Sequence, residues 1–221
     1  MSDAIFSYID KIIVESPRPV IVEIGAARGE DTSRIMRRVR ELKPGVPYEY
    51  YAFEPDPRNI ETIRRSPISQ EVHLIPAAVG DANKRTVFHQ SSGQNPQFGY
   101  EHTLSGSLKQ PVQHLQAHPW CKFEKQIEVR MMTLNTFFEA FSPPLIDFIW
   151  CDVQGAEDLV LAGGDFALAH TRFFYTEYYN HEMYRGQIPA PEIHRRLGST
   201  WKIVDQWPYD ILFENLCITQ K

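Results

Sequence analysis

The sequence predicts an α/β fold, built on an open, mostly parallel sheet with helices on both faces. Three observations predict it. Short β-branched or aromatic runs alternate with stretches whose apolar residues recur every three or four positions, the signature of strands alternating with helices. One of those runs, DFIWCD (Asp147 to Asp152), is nearly continuous in apolar residues and passes directly into a helix-like segment, as a strand buried on both faces does. The C-terminal stretch WKIVDQWPYDILFENLCITQ is two strand-like runs about Pro208–Tyr209–Asp210, which reads as an antiparallel hairpin.

The elements follow in order. Residues 4–14 (AIFSYIDKIIV) form an amphipathic helix ended by Pro17 and Pro19, and Val20 to Ile24 form a β-branched strand closed by Gly25. In DTSRIMRRVRELKPG, Ile35, Val39 and Leu42 make a helical stripe, Asp31 or Thr32 caps its start, and Pro44–Gly45 stop it. Arginines 34, 37, 38 and 40 form its solvated face. YEYYAFEP is a strand ending at Glu54, PRNIETIRR a short helix, and VHLIPAAVGD a strand ending at Gly80–Asp81. RTVFHQ and IEVRMMTL are further strands, and NTFFEAF is a helix closed by Pro143–Pro144. After the Asp147 to Asp152 strand come the helix AEDLVLAG, the strand RFFYTEYY and the helix APEIHRRLG. Between 91 and 108 lies a polar stretch without period, SSGQNPQFGYEHTLSGSL, a length usual for a functional or mobile loop and read as a lid.

Bulk properties narrow the function. The 221 residues suit one domain, 1–221, and 43% hydrophobic and 12% aromatic content supply a core. A net charge of −5 makes nucleic acid an unexpected partner. No run of about 18 apolar residues is present, so no membrane partner is expected. The N-terminal residues lack the basic start and small-residue cleavage site of a signal peptide. Cys121, Cys151 and Cys217 are widely spaced, form no metal framework, and suit a reducing cytoplasm.

Candidate binding residues gather at strand ends, where open α/β sheets hold ligands. VEIGAARGED places Glu23, Gly25, Ala26 and Gly29 between a strand and a helix. It is not the dinucleotide fingerprint GxGxxG, because Ala27 stands at the second glycine and Gly29 comes one place before the third. Small residues let backbone approach a ligand closely, and the helix start offers unpaired N–H groups. The Glu23 carboxylate favours a cationic ligand over a pyrophosphate, which points to S-adenosylmethionine, bearer of an ammonium and a sulfonium. Glu54, before Pro55, can accept ribose hydroxyls, and Asp81 the adenine amino group.

The four pieces VEIGAARG, YAFEPDP, IPAAVGD and IDFIWCDVQGAE stand in an order that resembles the FkbM family of S-adenosylmethionine-dependent methyltransferases, over roughly residues 20 to 180. In the last and most specific piece Ile146, Asp147, Asp152, Val153, Gly155 and Glu157 match the family pattern. Gln154 replaces a usual acid, Trp150 a common lysine, and Ala27 a common asparagine. The resemblance implies a class I methyltransferase (Rossmann-like) fold with seven strands, the last antiparallel, and S-adenosyl-L-methionine bound by Glu23, Gly25, Ala26, Gly29, Glu54, Pro55, Asp81 and Asp152.

Methylating an aliphatic hydroxyl requires a base within hydrogen-bond reach or a metal that lowers the hydroxyl's pKa. Asp152, Glu157 and Glu177 are expected around one cleft, where crowding raises carboxylate pKa values; together they could equally hold Mg2+. His181 is a second base candidate. HEMYR is no zinc motif, since the second histidine of HExxH is missing. The leading expectation is an O-methyltransferase acting on a hydroxyl of a sugar, glycan or secondary metabolite. N- or carboxyl methylation on the same fold, or a non-catalytic cofactor-binding domain, are its rivals; a nucleotide-dependent oxidoreductase is disfavoured by the missing fingerprint.

Overall fold

The computed structural model describes residues 4–96 and 99–219. Its elements are α1 (Ile5–Glu15), β1 (Val20–Ile24), α2 (Glu30–Leu42), β2 (Glu49–Phe53), α3 (Pro57–Arg65), β3 (His73–Ile75), β4 (Ala78–Val79), β5 (Lys84–Ser92), α4 (His114–Ala117), β6 (Lys122–Met132), α5 (Leu134–Phe141), β7 (Ile146–Cys151), α6 (Glu157–Ala162), α7 (Asp165–Ala169), β8 (Thr171–Glu177), α8 (Ala190–Leu197), β9 (Trp201–Gln206), β10 (Asp210–Asn215) and α9 (Leu216–Thr219).

Seven strands form one sheet in the order β3-β2-β1-β7-β8-β10-β9. The pairs from β3 through β8 are parallel, and β10 runs antiparallel to both β8 and β9. Each face of the sheet carries its own apolar cluster. One joins Ile24, Phe53, Ile149 and Phe174 to Phe137, Val160, Leu168 and Ile193 from α5 to α8. The other joins Ile21, Tyr50, Trp150 and Tyr175 to Ile9, Ile35 and Ile63 from α1 to α3. β7 is buried at all six positions because it lies between these layers, and burying each large side chain there contributes roughly 1.5–3 kcal/mol. The chain walks outward from β1 to β3 and returns to β7 on the other side of β1, so a crevice opens between the carboxyl ends of β1 and β7.

Two local features depart from the sequence reading. VHLIPAAVGD does not make one strand: Pro76 separates β3, in the main sheet, from β4, which pairs with β6 in a second sheet of order β4-β6-β5. Proline has no N–H to continue a ladder, so the chain changes sheets there. At α2 neither Asp31 nor Thr32 is the cap. Gly29, at φ +84°, precedes the helix, and the Thr32 hydroxyl is used elsewhere, on Glu23.

Asp147 lies at the opposite end of β7 from the crevice. Its carboxylate accepts from Ser16 Oγ at 2.9 Å, Val20 N at 3.0 Å and Arg172 Nη1 at 3.2 Å. This acid of the family-like motif fastens the start of β7 to the segment entering β1 and to β8.

Candidate active site

The loop leaving β1 turns through three left-handed residues, Gly25 (φ +93°), Ala27 (φ +47°) and Gly29 (φ +84°). Gly25 N and Ala26 N both donate to Phe53 O, at 3.0 and 2.9 Å, and Asp152 N donates to Ile24 O at 2.9 Å. The loop therefore rests on the ends of β2 and β7 together. A Cβ on Gly25 would stand 1.8 Å from Asp152 O, so only glycine permits this approach.

Glu23 is buried beneath the loop, where Thr32 Oγ1 donates to it at 2.5 Å and the Tyr50 hydroxyl at 2.8 Å. Burial pushes its pKa up to about 7, against the lowering effect of these donors. Glu54, also buried, accepts from Ala27 N at 2.8 Å through Oε2 and from Asp56 N at 2.7 Å through Oε1. Each carboxylate oxygen can accept two hydrogen bonds, so capacity for a ligand hydroxyl remains. Burial raises Glu54 to about 8. Asn59, on the buried face of α3, lies 3.4 Å from Glu54 Oε1 and accepts from Thr103 Oγ1 at 2.6 Å.

At the end of β7, Asp152 is held by Gln154 Nε2 at 2.7 Å. Its pKa is raised to about 6, by burial first, then by Asp31 and Asp210. Glu177 ends β8, with Oε2 3.4 Å from the same Gln154 nitrogen. Burial, then Asp152, Asp210 and Glu157, raise it well above the usual carboxylate range. Glu157 is buried in the first turn of α6; its Oε1 accepts from Gly155 N at 3.1 Å, its Oε2 has no partner, and burial raises it to about 7. Asp210, buried and paired in register with Glu177, completes an acidic rim.

These ends enclose a cavity of about 330 Å3, within the usual range for a small-molecule site. Ile24, Phe53, Ala77, Val79, Leu104 and Val153 give it apolar walls. Its charged lining is Glu23, Glu30, Asp31, Glu54 and Asp152, with no lysine, arginine or histidine among the described residues.

Of the residues expected from sequence, Glu23, Gly25, Ala26, Glu54, Pro55 and Asp152 line the cavity. Glu157 and Glu177 do not line the cavity, though each is close enough to Asp152 for its charge to raise their pKa values. Gly29 precedes α2 and packs against Ile63 and Ile68. Asp81 is not brought to the cavity: it is exposed, 3.7 Å from Lys84, because β4 carries the chain into the second sheet before reaching it. His181 is exposed, its ring 5.9 Å from that of Tyr179, and it does not line the cavity either. The expected lid at about 91–108 includes residues 97 and 98, which lie outside the described residues. Its later part borders the cavity: Thr103, Leu104, Gly106 and Leu108 line it, His102, Thr103, Ser105 and Ser107 are buried, and Ser107 Oγ donates to Gln154 O at 2.8 Å. The sequence reading missed Asp31, Asn59, Thr103 and Asp210. Asn59 alone carried a signal, a polar residue beside Ile60 on the face of α3 that turns inward. The Mg2+ alternative finds no support, since no group of three or more His, Cys, Asp or Glu among the described residues is arranged to hold a metal ion.

Comparison with known proteins gives concordant matches. A family model described as "Methyltransferase FkbM domain" matches residues 23–207. The 2-O-methyltransferase NoeI of Sinorhizobium fredii (strain NBRC 101917 / NGR234) is 38% identical over 209 residues, 92% of this chain and 82% of its own length. The crystal structure of methyltransferase FkbM from Methylobacillus flagellatus KT superposes with a TM-score of 0.52 at 13% identity, covering 89% of this chain. The match takes in 44% of that longer chain, and at this identity it speaks for the fold alone.

Proposed function

Because the chain belongs to the FkbM methyltransferase family, we propose that it transfers a methyl group to a hydroxyl of a neutral acceptor, of the sugar, glycan or secondary-metabolite class. It is an S-adenosylmethionine-dependent methyltransferase. The observation that carries the acceptor reading is the one-sided ionisable lining of the cavity: Glu30, Asp31 and Asp152, with the partly protonated Glu23 and Glu54, and no cation in its described lining. Such a site repels phosphorylated, carboxylated or nucleic-acid acceptors and tolerates neutral ones. The name of the 38% identical relative, a 2-O-methyltransferase, supports a hydroxyl as nucleophile.

The residues suit the cofactor. Glycine at 25 lets the loop after β1 close against the Asp152 backbone at the edge of the cavity, the walls are apolar, and Glu23, Asp31 and Asp152 offer negative charge to an ammonium and a sulfonium. The cofactor supplies an electrophilic methyl on a cationic sulfur. We assign Glu54 to the ribose hydroxyls and Glu23, with the Gly25–Ala26 backbone, to the amino-acid end. We assign Asp152, assisted by Glu177, to removing the acceptor proton. A carboxylate whose pKa has risen to about 6 is a stronger base than an ordinary aspartate and still ionised at neutral pH. Glu157 holds the turn that presents Asp152.

We read residues 1–221 as a single methyltransferase domain, supported by the one continuous main sheet. No helix among the described residues is long and apolar enough to cross a membrane. A cytoplasmic location is supported by three unpaired cysteines. The test is calorimetry with S-adenosylhomocysteine, then transfer of labelled methyl from S-adenosylmethionine to a panel of neutral, amino and phosphorylated polyols. Transfer to neutral hydroxyls is expected; transfer only to phosphorylated or amino acceptors would overturn the reading.

A further inference from the structure

Gln154 stands between the acids at the end of β7. Its backbone is left-handed, φ +53°, a conformation that a residue other than glycine keeps only where its surroundings impose it. The surroundings are visible. Its carbonyl oxygen accepts from Ser107 Oγ at 2.8 Å. The next residue, Gly155, is pressed against Tyr184, whose Cβ lies 2.7 Å from where a Gly155 Cβ would be. The Gln154 side chain is engaged at both ends: Nε2 lies 2.7 Å from Asp152 Oδ1 and 3.4 Å from Glu177 Oε2, and Oε1 lies 3.1 Å from the Tyr184 hydroxyl. That hydroxyl also reaches Ser105 O at 2.8 Å.

The chemistry of these partners fixes the orientation of the amide. Asp152 is ionised at neutral pH and only accepts, so the NH2 end must face it; the amide oxygen then shares the single proton of the Tyr184 hydroxyl with Ser105 O. The NH2 group has two protons, one for each carboxylate. Without a donor between them, Asp152 and Glu177 repel each other and are driven to share or take up protons. Glu23, Asp31, Glu157 and Asp210 add to that pressure from β1, α2, α6 and β10, and the hydroxyls of Tyr175, Tyr179 and Tyr184 surround it. Gln154 is the residue whose side chain is hydrogen-bonded toward both.

We infer that Gln154 is a positioning residue for methyl transfer: its neutral amide bridges Asp152 and Glu177, keeps the pair together in an ionisable state, and ties it to the Ser105–Ser107 wall of the cavity. The inference rests on the assignment of Asp152 as base. A third acid at this position would add repulsion, whereas an amide supplies donors and no charge.

The test is carboxyl-carbon NMR of the full chain labelled at Asp and Glu side chains, with the Asp152 and Glu177 signals identified by loss in Asp152→Asn and Glu177→Gln. Gln154→Met keeps the length of the side chain and removes the donors. Its expected result is an upward move of the Asp152 titration midpoint by about one pH unit, with Glu177 moving the same way, while S-adenosylhomocysteine affinity stays within about threefold, well under 1 kcal/mol. Gln154→Asn covers the case in which methionine will not accept the left-handed backbone, since asparagine adopts it readily. Its shorter amide loses one of the two carboxylates, so one midpoint still rises. Midpoints that stay within about 0.3 pH unit of wild type in a folded variant, against the one-unit move expected for a lost donor, overturn the inference. Failure of the base assignment looks different: Asp152→Asn would keep turnover while the midpoints in Gln154→Met still moved.

Discussion

Substituting Gly25 by alanine tests the link between backbone geometry and the cavity. Two separate costs arise. Alanine at φ +93° is strained by about 1–2 kcal/mol. Its Cβ would also lie 1.8 Å from Asp152 O, where non-bonded atoms need at least 3.0 Å. The β1 loop and the end of β7 must therefore separate by more than ~1 Å, which breaks the 2.9 Å bond from Asp152 N to Ile24 O and leaves a buried donor without a partner, about 1–3 kcal/mol more. The sum, roughly 2–5 kcal/mol, lowers Tm by about 4–20 °C for a chain of this size. Gly45→Ala is the control: its φ of +78° imposes the same strain, but nothing lies within 4 Å of the added carbon, so about 1–2 kcal/mol is expected. Differential scanning calorimetry of both variants, with S-adenosylhomocysteine titrated into each, separates strain from overlap. The reasoning is refuted if Gly25→Ala melts no lower than Gly45→Ala and binds the ligand as wild type does.

Asp152→Asn keeps the shape of the β7 end and removes its charge; melting within a few degrees of wild type and a loss of about 10²–10⁴-fold in turnover are expected, measured by labelled-methyl transfer at saturating acceptor. Glu54→Ala removes the acceptor of Ala27 N and Asp56 N as well as the assigned ribose contact, so calorimetry should show affinity for S-adenosylhomocysteine reduced by about 1–3 kcal/mol, and unchanged affinity would remove Glu54 from the site. The third expectation concerns pH. Glu23, Glu157 and Glu54 have folded values raised to about 7, 7 and 8, so between pH 4.5 and 8 these groups hold more protons in the folded chain than in the unfolded one, and they outweigh the buried His114, lowered to about 4, which acts the other way up to about pH 6.5. The chain's stability then falls as pH rises through that window. Thermal melts of the ligand-free protein should decline from about pH 5 to pH 8.5, with a shallower slope in saturating S-adenosylmethionine, whose positive charge favours the ionised acids; a Tm that climbs across this range contradicts the burial of these acids.

The framework was legible because it rests on burial, and burial leaves a pattern. β7 is apolar at five of its six positions because both faces are covered, and the helices show apolar stripes because one side is. The switch point between β1 and β7 follows from strand order, which the alternation of elements suggests. Contacts that join distant segments left less trace. The hairpin of β5 and β6 forms its own sheet because Pro76 diverts the chain, and no local pattern says where β4 goes next. That diversion is also why Asp81, a strand-end acid in sequence, ends at the surface. The motif from Ile146 to Glu157 shows the limit most directly. Asp147 and Asp152 look alike in sequence, but five residues of strand at about 3.3 Å each put them some 16 Å apart. The first therefore meets Ser16, Val20 and Arg172, and the second meets the cavity. Gln154 reads as a mere departure from the family pattern until Ser107, Tyr184, Asp152 and Glu177 converge on it from four segments. A neutral amide among acids acquires its meaning from the charges around it, and the fold, not the local sequence, decides which charges those are.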